Sequence, residues 1–328
     1  MTQKKRILSG MRPTGPLHLG NYHGALANWI RMQDDYDCFF FIADWHALTS
    51  DYEDTTKLSD YVKNMMIDWL SAGLDPERST LFVQSHIKEH AELYLILSMI
   101  TPVPWLERNP TYKDQIVQLE SKDLSTFGFL GYPVLQAADI IIYKANGVPV
   151  GVDQVPHVEI TREIARRFNH FYGPVFPEPD AILTETPKIL GLDRRKMSKS
   201  YHNAIFLSDT AEEMASKVSR MITDPNRARK SDPGDPGVCN VFDFHKLYSD
   251  AGTVAEVDAA CRSAAIGCVQ CKQKMAQSLV AALAPLRERR NEYAERPERV
   301  AEIIVEGGNK ARAEAQKTME AVRSALNI

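Results

Sequence analysis

Two lysines and two serines stand together in KMSKS, residues 196–200, directly after Arg194 and Arg195. Ammonium groups at that density neutralise charge developing on a transferring phosphoryl group and on leaving pyrophosphate oxygens, so Lys196 and Lys199 are candidates for polyphosphate chemistry. An isolated basic pentapeptide is otherwise a solvated loop. A second segment, RPTGPLHLGN at 12–21, puts a Pro/Gly turn in front of an amphipathic run. Backbone N–H groups at a helix N-terminus, with the positive end of its dipole, form an anion site; Gly15 and Gly20 let a phosphate approach the backbone, and His18 and Asn21 add side-chain donors. The third group is Cys239, Cys261, Cys268 and Cys271, four of the five cysteines, separated by 21, 6 and 2 residues. Four thiolates hold either zinc or an iron–sulfur cluster; thiol chemistry alone ranks zinc first, and four unligated thiols are the third reading. Cys38 lies in an apolar run and is expected in the core.

The elements that must position these groups are legible from periodicity. Ile7 and Leu8 lead into the Pro/Gly loop, after which Leu19, Tyr22, Leu26, Trp29 and Ile30 share one helical face. Cys38 to Ala43 is apolar without alternation, as in a strand buried on both faces, and Leu58, Tyr61, Val62, Met65, Trp69 and Leu70 mark a helix stopped by Gly73. Thr80 to Val83 form a third strand. A further helix covers about 88–100, a turn falls at Asn146-Gly147, a short strand at Val148 to Val150 and a helix begins near Val155. Strand–helix alternation predicts an α/β fold with a parallel Rossmann-type sheet, which binds ligands at the carboxyl ends of its strands. From residue 209 the chain reads as mainly helical, broken by a loop at about 223–240.

With 328 residues and 44% hydrophobic content the chain can bury a full core, and a net charge of −4 excludes a general polyanion-coating protein. MTQKKRILSG lacks a signal peptide's apolar run and no stretch suits a membrane span, so a cytoplasmic protein with no membrane association is expected. In a reducing compartment clustered cysteines point to metal rather than disulfides.

HLGN followed much later by KMSKS resembles the paired signatures of class I aminoacyl-tRNA synthetases. YPVLQAADI (132–140) and VPVGVDQ (148–154) resemble the amino-acid pocket and ribose-binding segments of tryptophanyl-tRNA synthetases, as do GMRPTGPLHLGN, ADWHALT (43–49) and TDPNRARKSDPG. The resemblance spans essentially the whole chain. It implies a tryptophan–tRNA ligase using ATP and Mg²⁺, with L-tryptophan and tRNA(Trp) as partners and a homodimeric state. A tyrosyl-tRNA synthetase and a non-catalytic iron–sulfur RNA-binding regulator are the alternatives.

Indole is a donor-only ring, so a pocket that takes it over phenylalanine or tyrosine needs one buried acceptor among apolar walls. The resemblance assigns that acceptor to Asp139, the ring's surroundings to Tyr132, Gln136, Val148 and Val150, and the amino and carboxylate end to Gln154 and His46. It assigns Arg12, Pro13, Thr14, Gly20 and Asn21 to the nucleotide and phosphates, Gly151, Val152 and Asp153 to the ribose, and Ile189, Lys196, Met197, Ser198, Lys199 and Ser200 to the ATP site beside the lysine loop. His18, Asn21, Lys196, Lys199 and Lys113 form the implied catalytic set. Gln136, Arg12 and His18 replace the methionine, glutamine and threonine of many relatives. A subset of bacterial tryptophanyl enzymes carries a [4Fe–4S] cluster on nearly this cysteine pattern, ending IGCxxCK, which implies such a cluster at Cys239, Cys261, Cys268 and Cys271, with Zn²⁺ as the alternative. The implied domains are a catalytic domain over 1–201 with a dimer-forming insertion at about 86–170, a helical anticodon-binding domain over 202–295 and a C-terminal helix over 296–328 packing back on the catalytic domain.

Overall fold

Apolar runs between turn residues form the strands β1 (Arg6–Met11), β2 (Asp37–Ile42), β3 (Ser79–Val83), β4 (Gly147–Val150) and β5 (Asp180–Leu183) in a computed structural model that describes residues 4–110, 112, 124–184 and 189–328. They make one sheet in the order β3-β2-β1-β4-β5, each neighbouring pair parallel. Cys38 to Ile42 and all of β3 are buried, as continuous apolar runs in a sheet covered on both faces require. The strand order reverses between β1 and β4, and at such a switch point the loops leaving the carboxyl ends diverge to open a crevice. Those loops begin with Arg12–Thr14 after β1 and Gly151–Asp153 after β4.

The helices, in chain order, are α1 (Leu19–Asn21), continuing through a π turn (Tyr22–Leu26) into α2 (Ala27–Met32), then α3 (Asp44–Leu48), α4 (Leu58–Ala72), α5 (Glu89–Ile100), α6 (Val103–Glu107), α7 (Phe127–Ile142), α8 (Val155–Tyr172), α9 (Ala211–Ser219), α10 (Asn240–Tyr248), α11 (Ala251–Arg262), α12 (Cys268–Ala294) and α13 (Pro297–Leu326). Gly73 ends α4 at φ 120°, a left-handed conformation that glycine adopts without a Cβ penalty. The chain divides into two compact units, residues 1–15, 28–186 and 296–328 in the first, and residues 16–27 and 187–295 in the second.

In the first unit α7, α8 and α13 bury Ile140, Ile141, Ile142, Ile164, Phe168, Ala315, Met319 and Val322 with Phe39, Phe41 and Phe82 of the sheet. Helix α13 crosses β3 so closely that a Cβ on Gly307 would stand 1.8 Å from Leu81 O. Arg6 fastens the same helix to the sheet, pairing with Asp37 at 2.7 Å and Glu314 at 2.9 Å. In the second unit α12 packs against α9 and α10, burying Met275, Leu279 and Leu283 with Met214, Val218, Val241 and Phe244. A Thr210/Glu213 capping box starts α9. No helix among the described residues is long and apolar enough to cross a membrane.

Three features differ from the sequence reading. The division between the units falls at 186/187 instead of 201 and places residues 16–27 with the second unit; Leu19 N donates to Ile205 O at 3.0 Å and Leu207 N to Leu17 O at 2.9 Å, long-range pairings that no local pattern encodes. Strand β5 was not foreseen, because four residues are too few for a periodic signal. The turn before β4 centres on Lys144, at φ 51°, while Asn146 already pairs with Arg6 along β1 and Gly147 is the first residue of the strand.

Candidate active site

Tyr132, Gln136 and Asp139 project from one face of α7, since positions i, i+4 and i+7 stack over two helical turns. Asp139 is 0% exposed. Its Oδ1 accepts from His90 Nδ1 at 2.5 Å and Gln84 Nε2 at 2.8 Å, and its Oδ2 from His46 Nε2 at 2.8 Å and the same Gln84 nitrogen at 2.9 Å. Burial pushes this carboxyl toward protonation, but hydrogen bonds from His46 and His90 outweigh burial and hold it below the usual carboxylate range. The first unit therefore contains a sequestered, ionised acceptor. Tyr143 O–H meets the other ring nitrogen of His90 at 2.6 Å.

The other predicted pocket residues fall around this centre to differing degrees. Tyr132 is buried, its ring edge-on to His157 and its hydroxyl 3.4 Å from His157 Nε2. Burial raises the Tyr132 phenol and, with a smaller contribution from His46, pushes His157 down to about 4. His46 on α3 is buried, Gln136 and Gln154 are half-buried, and Gln154 Nε2 donates to Asp153 Oδ2 at 3.2 Å. Val148 and Val150 belong to the main core. Gln84, His90, Tyr143 and His157 were not singled out from the sequence. Their types are ordinary, and Gln84 and His90 find their common partner 55 and 49 residues away.

At the switch point Arg12 and Thr14 are exposed and Pro13 buried, with Arg12 Nη1 3.4 Å from Ser50 Oγ. Val152 and Asp153 are exposed beyond β4. The Asp153 carboxylate folds back over Gly151, its Oδ1 2.7 Å from where a Cβ there would stand. This leaves a carboxylate able to accept from two vicinal hydroxyls at the carboxyl end of a strand.

The second unit brings the other two motifs together. His18 caps α1: its Nδ1 accepts from Asn21 N at 3.2 Å, and Asn21 Oδ1 accepts from His18 N at 3.1 Å. With Nδ1 accepting, the ring proton sits on Nε2, which is thereby a donor. Burial first, then the charges of Lys199 and Lys196, push His18 down to about 4, so at neutral pH it is an uncharged donor beside two ammonium groups. Met197 is buried with its Cβ 3.6 Å from where a side chain on Gly20 would begin, packing the lysine loop onto α1. The loop is folded by a Leu190–Lys196 bridge and by Asn203, whose Oδ1 accepts from Ser198 N at 2.8 Å and whose Nδ2 donates to Asp193 at 2.7 Å and Lys196 O at 3.3 Å. Ile189 is buried, Ser198 and Lys199 are half-buried, and Lys196 and Ser200 are exposed. Lys113 lies outside the described residues. Asn203 is a further addition to the sequence reading, and its signal lay in Gly191, where a Cβ would stand 2.2 Å from Asn203 Cγ.

Also in this unit, the thiols of Cys239, Cys261, Cys268 and Cys271 gather at the starts of α10 and α12 and on α11. Arg227 Nη1 lies 3.8 Å from Cys261 Sγ and 4.0 Å from Cys268 Sγ. Burial first and then the other three thiols push Cys271 up to about 12, so the four sulfurs lie near enough to act on one another. Four soft donors that repel one another's charge suit a cationic centre in their chemistry. Among the described residues, however, no group of three or more His, Cys, Asp or Glu side chains is arranged to hold a metal ion, so the geometry does not support the predicted metal site. Cys38 is core, its thiol raised to about 12 by burial.

Whole-chain similarity accompanies the buried acceptor, the switch-point loops and the packing of the lysine loop onto α1. The family described as tRNA synthetases class I (W and Y) matches residues 1–284. The chain is 53% identical over 325 residues to the tryptophan–tRNA ligase of Thermotoga maritima, covering 98% of this chain and 99% of that one. It is 48% identical to the Aquifex aeolicus tryptophan–tRNA ligase, covering 98% of this chain and 100% of the relative. The crystal structure of Campylobacter jejuni tryptophanyl-tRNA synthetase complexed with ADP and tryptophan superposes with a TM-score of 0.91 at 36% identity, covering 98% of this chain and 100% of that one. The chain belongs to the class I aminoacyl-tRNA synthetases of the tryptophan and tyrosine family. Within that family its activity is that of a tryptophan–tRNA ligase, an enzyme of protein biosynthesis, which resolves the choice between tryptophan and tyrosine.

Proposed function

We propose that tryptophan is selected by Asp139, whose carboxylate accepts the indole N–H, with Tyr132, Gln136, Val148 and Val150 around the ring and His46 and Gln154 toward the substrate's amino and carboxylate end. The observation that carries this is a wholly buried carboxylate, on the same helix face as Tyr132 and Gln136, that accepts hydrogen bonds from His46, Gln84 and His90. By resemblance, the ribose of ATP is assigned to Gly151, Val152 and Asp153, and its phosphates to Arg12, Pro13, Thr14, Gly20, Asn21 and the KMSKS loop. The tryptophan carboxylate attacks the α-phosphorus in line. It already carries the charge needed, so this step takes no general base, and His18 Nε2–H, Lys196 and Lys199 stabilise charge on the phosphoryl and pyrophosphate oxygens. Lys113 joins the catalytic set by resemblance. Mg²⁺ arriving with ATP supplies further neutralisation of the phosphates. The aminoacyl group then passes from tryptophanyl-adenylate to the 2′-hydroxyl of tRNA(Trp). Replacing Asp139 by Asn should lower kcat/KM for tryptophan in ATP–pyrophosphate exchange by about a hundredfold or more, since a site built around one acceptor then presents an ambiguous amide; near-normal exchange would remove Asp139 from the pocket.

We also infer a homodimeric, cytoplasmic enzyme and an iron–sulfur cluster held by Cys239, Cys261, Cys268 and Cys271, with zinc as the second reading. The proximity of the four thiols to one another and the Arg227 guanidinium near two of them support this reading. Its role would be structural, tying the 223–240 loop to α11 and α12 in an anticodon-binding region. Anaerobically purified protein should show a broad visible absorption band and about four iron atoms per chain; a colourless protein with one zinc would establish the alternative, and a metal-free, fully folded protein would dismiss both.

A further inference from the structure

Two of the groups behind Asp139 have no place in the recognition scheme above. His90 on α5 and Tyr143, just past α7, are 0% and 1% exposed. An ionised carboxylate only accepts, so His90 Nδ1 must carry a proton toward Asp139 Oδ1 at 2.5 Å, while Nε2 meets the Tyr143 hydroxyl at 2.6 Å. Burial, followed by the charge of Asp139, drives the Tyr143 phenol well away from ionisation, so it remains a hydroxyl. A line of hydrogen bonds thus joins Tyr143 through His90 to Oδ1. Gln84 bridges both oxygens, and the Oδ2 side ends at His46, which keeps 11% of its side-chain exposure while His90 has none. On the Oδ1 side the carboxylate is backed by a wholly buried side chain, and on the Oδ2 side by one that keeps some exposure.

We propose that His90, oriented by Tyr143, is a positioning residue for amino-acid selection: by donating from Nδ1 it fixes the rotation of the Asp139 carboxylate so that Oδ2, the oxygen met by His46, can accept from an N–H donor of the substrate once the His46 contact gives way. This rests on the reading that Asp139 accepts the indole N–H. Removing the donor frees the carboxylate to turn and leaves a buried charge short of a partner, a loss felt by substrates that need the acceptor. The test compares L-tryptophan with 3-(benzothiophen-3-yl)alanine, which is nearly isosteric but carries sulfur in place of N–H, by ATP–pyrophosphate exchange. The wild-type enzyme should prefer tryptophan strongly. His90→Leu should reduce that preference about tenfold, chiefly through KM for tryptophan, and His90→Asn, which returns a donor at the Nδ1 position, should restore it to within about threefold. Tyr143→Phe keeps the ring in the core and should give a smaller loss of preference, and it carries the test if the leucine variant does not fold. An equal fall for both substrates, or an unchanged ratio in His90→Leu and Tyr143→Phe, would reduce these residues to packing and overturn the proposal. A wild-type enzyme indifferent between the two substrates would instead sink the Asp139 reading, and this inference with it.

Discussion

At His18 a single backbone contact decides the chemistry of a ring. Because Nδ1 accepts from Asn21 N, the ring's own proton is on Nε2, and burial together with the neighbouring lysines keeps the ring uncharged. Lys199→Ala should lower kcat of pyrophosphate exchange by about a hundredfold with little change in KM for tryptophan, as expected of charge stabilisation realised in the transition state. Protonation also links to folding. His18 and His157 both titrate near 4 in the folded protein against an ordinary 6.5, so between those values the unfolded chain binds more protons. Their contribution is fully present above about pH 6.5 and is lost as pH falls toward 4, by up to roughly 3 kcal/mol each. Urea denaturation at pH 7.5 and 5 should show that decline, and His157→Gln should make it shallower; an identical slope in the variant would deny His157 the role. His18 was legible from the sequence as part of a motif, whereas its tautomer was not, since that depends on which nitrogen faces a backbone amide.

Among the elements, α13 offers a paired experiment on close packing. Gly307→Ala would place a Cβ 1.8 Å from Leu81 O, so helix and strand must part and stability should fall by about 3 kcal/mol, while Gly308→Ala meets nothing within 4 Å and should be neutral or stabilising by up to about 1 kcal/mol. Equal melting temperatures for the two variants would contradict the close crossing. The lysine loop depends in the same way on Asn203, which satisfies Ser198 N, Asp193 and Lys196 O together; Asn203→Ala should slow pyrophosphate exchange about tenfold by loosening the loop while leaving the overall fold intact. Strands β2 and β3 and the helix stopped by Gly73 were readable because burial on both faces leaves an unbroken apolar run and a left-handed stop needs glycine. Strand β5 was not, as an edge of four residues with exposed ends carries almost no pattern.

For the whole molecule, the amino-acid sequence by itself determined the parallel α/β order, the two phosphate motifs and, through the length of its likeness to known ligases, the reaction. These are properties written over a few neighbouring residues, where turn chemistry, helical periodicity and motif spacing act locally. Only the tertiary structure decided that residues 16–27 join 187–295 in one compact unit, because Leu19 pairs with Ile205 and Leu17 with Leu207, 186 and 190 residues apart in the chain. It likewise decided that Asp139 is a charged acceptor rather than a surface carboxylate. Its donors His46, Gln84 and His90 come from 93, 55 and 49 residues away, and whether a buried carboxyl keeps its charge depends on which donors folding delivers to it, not on the residues beside it in the chain.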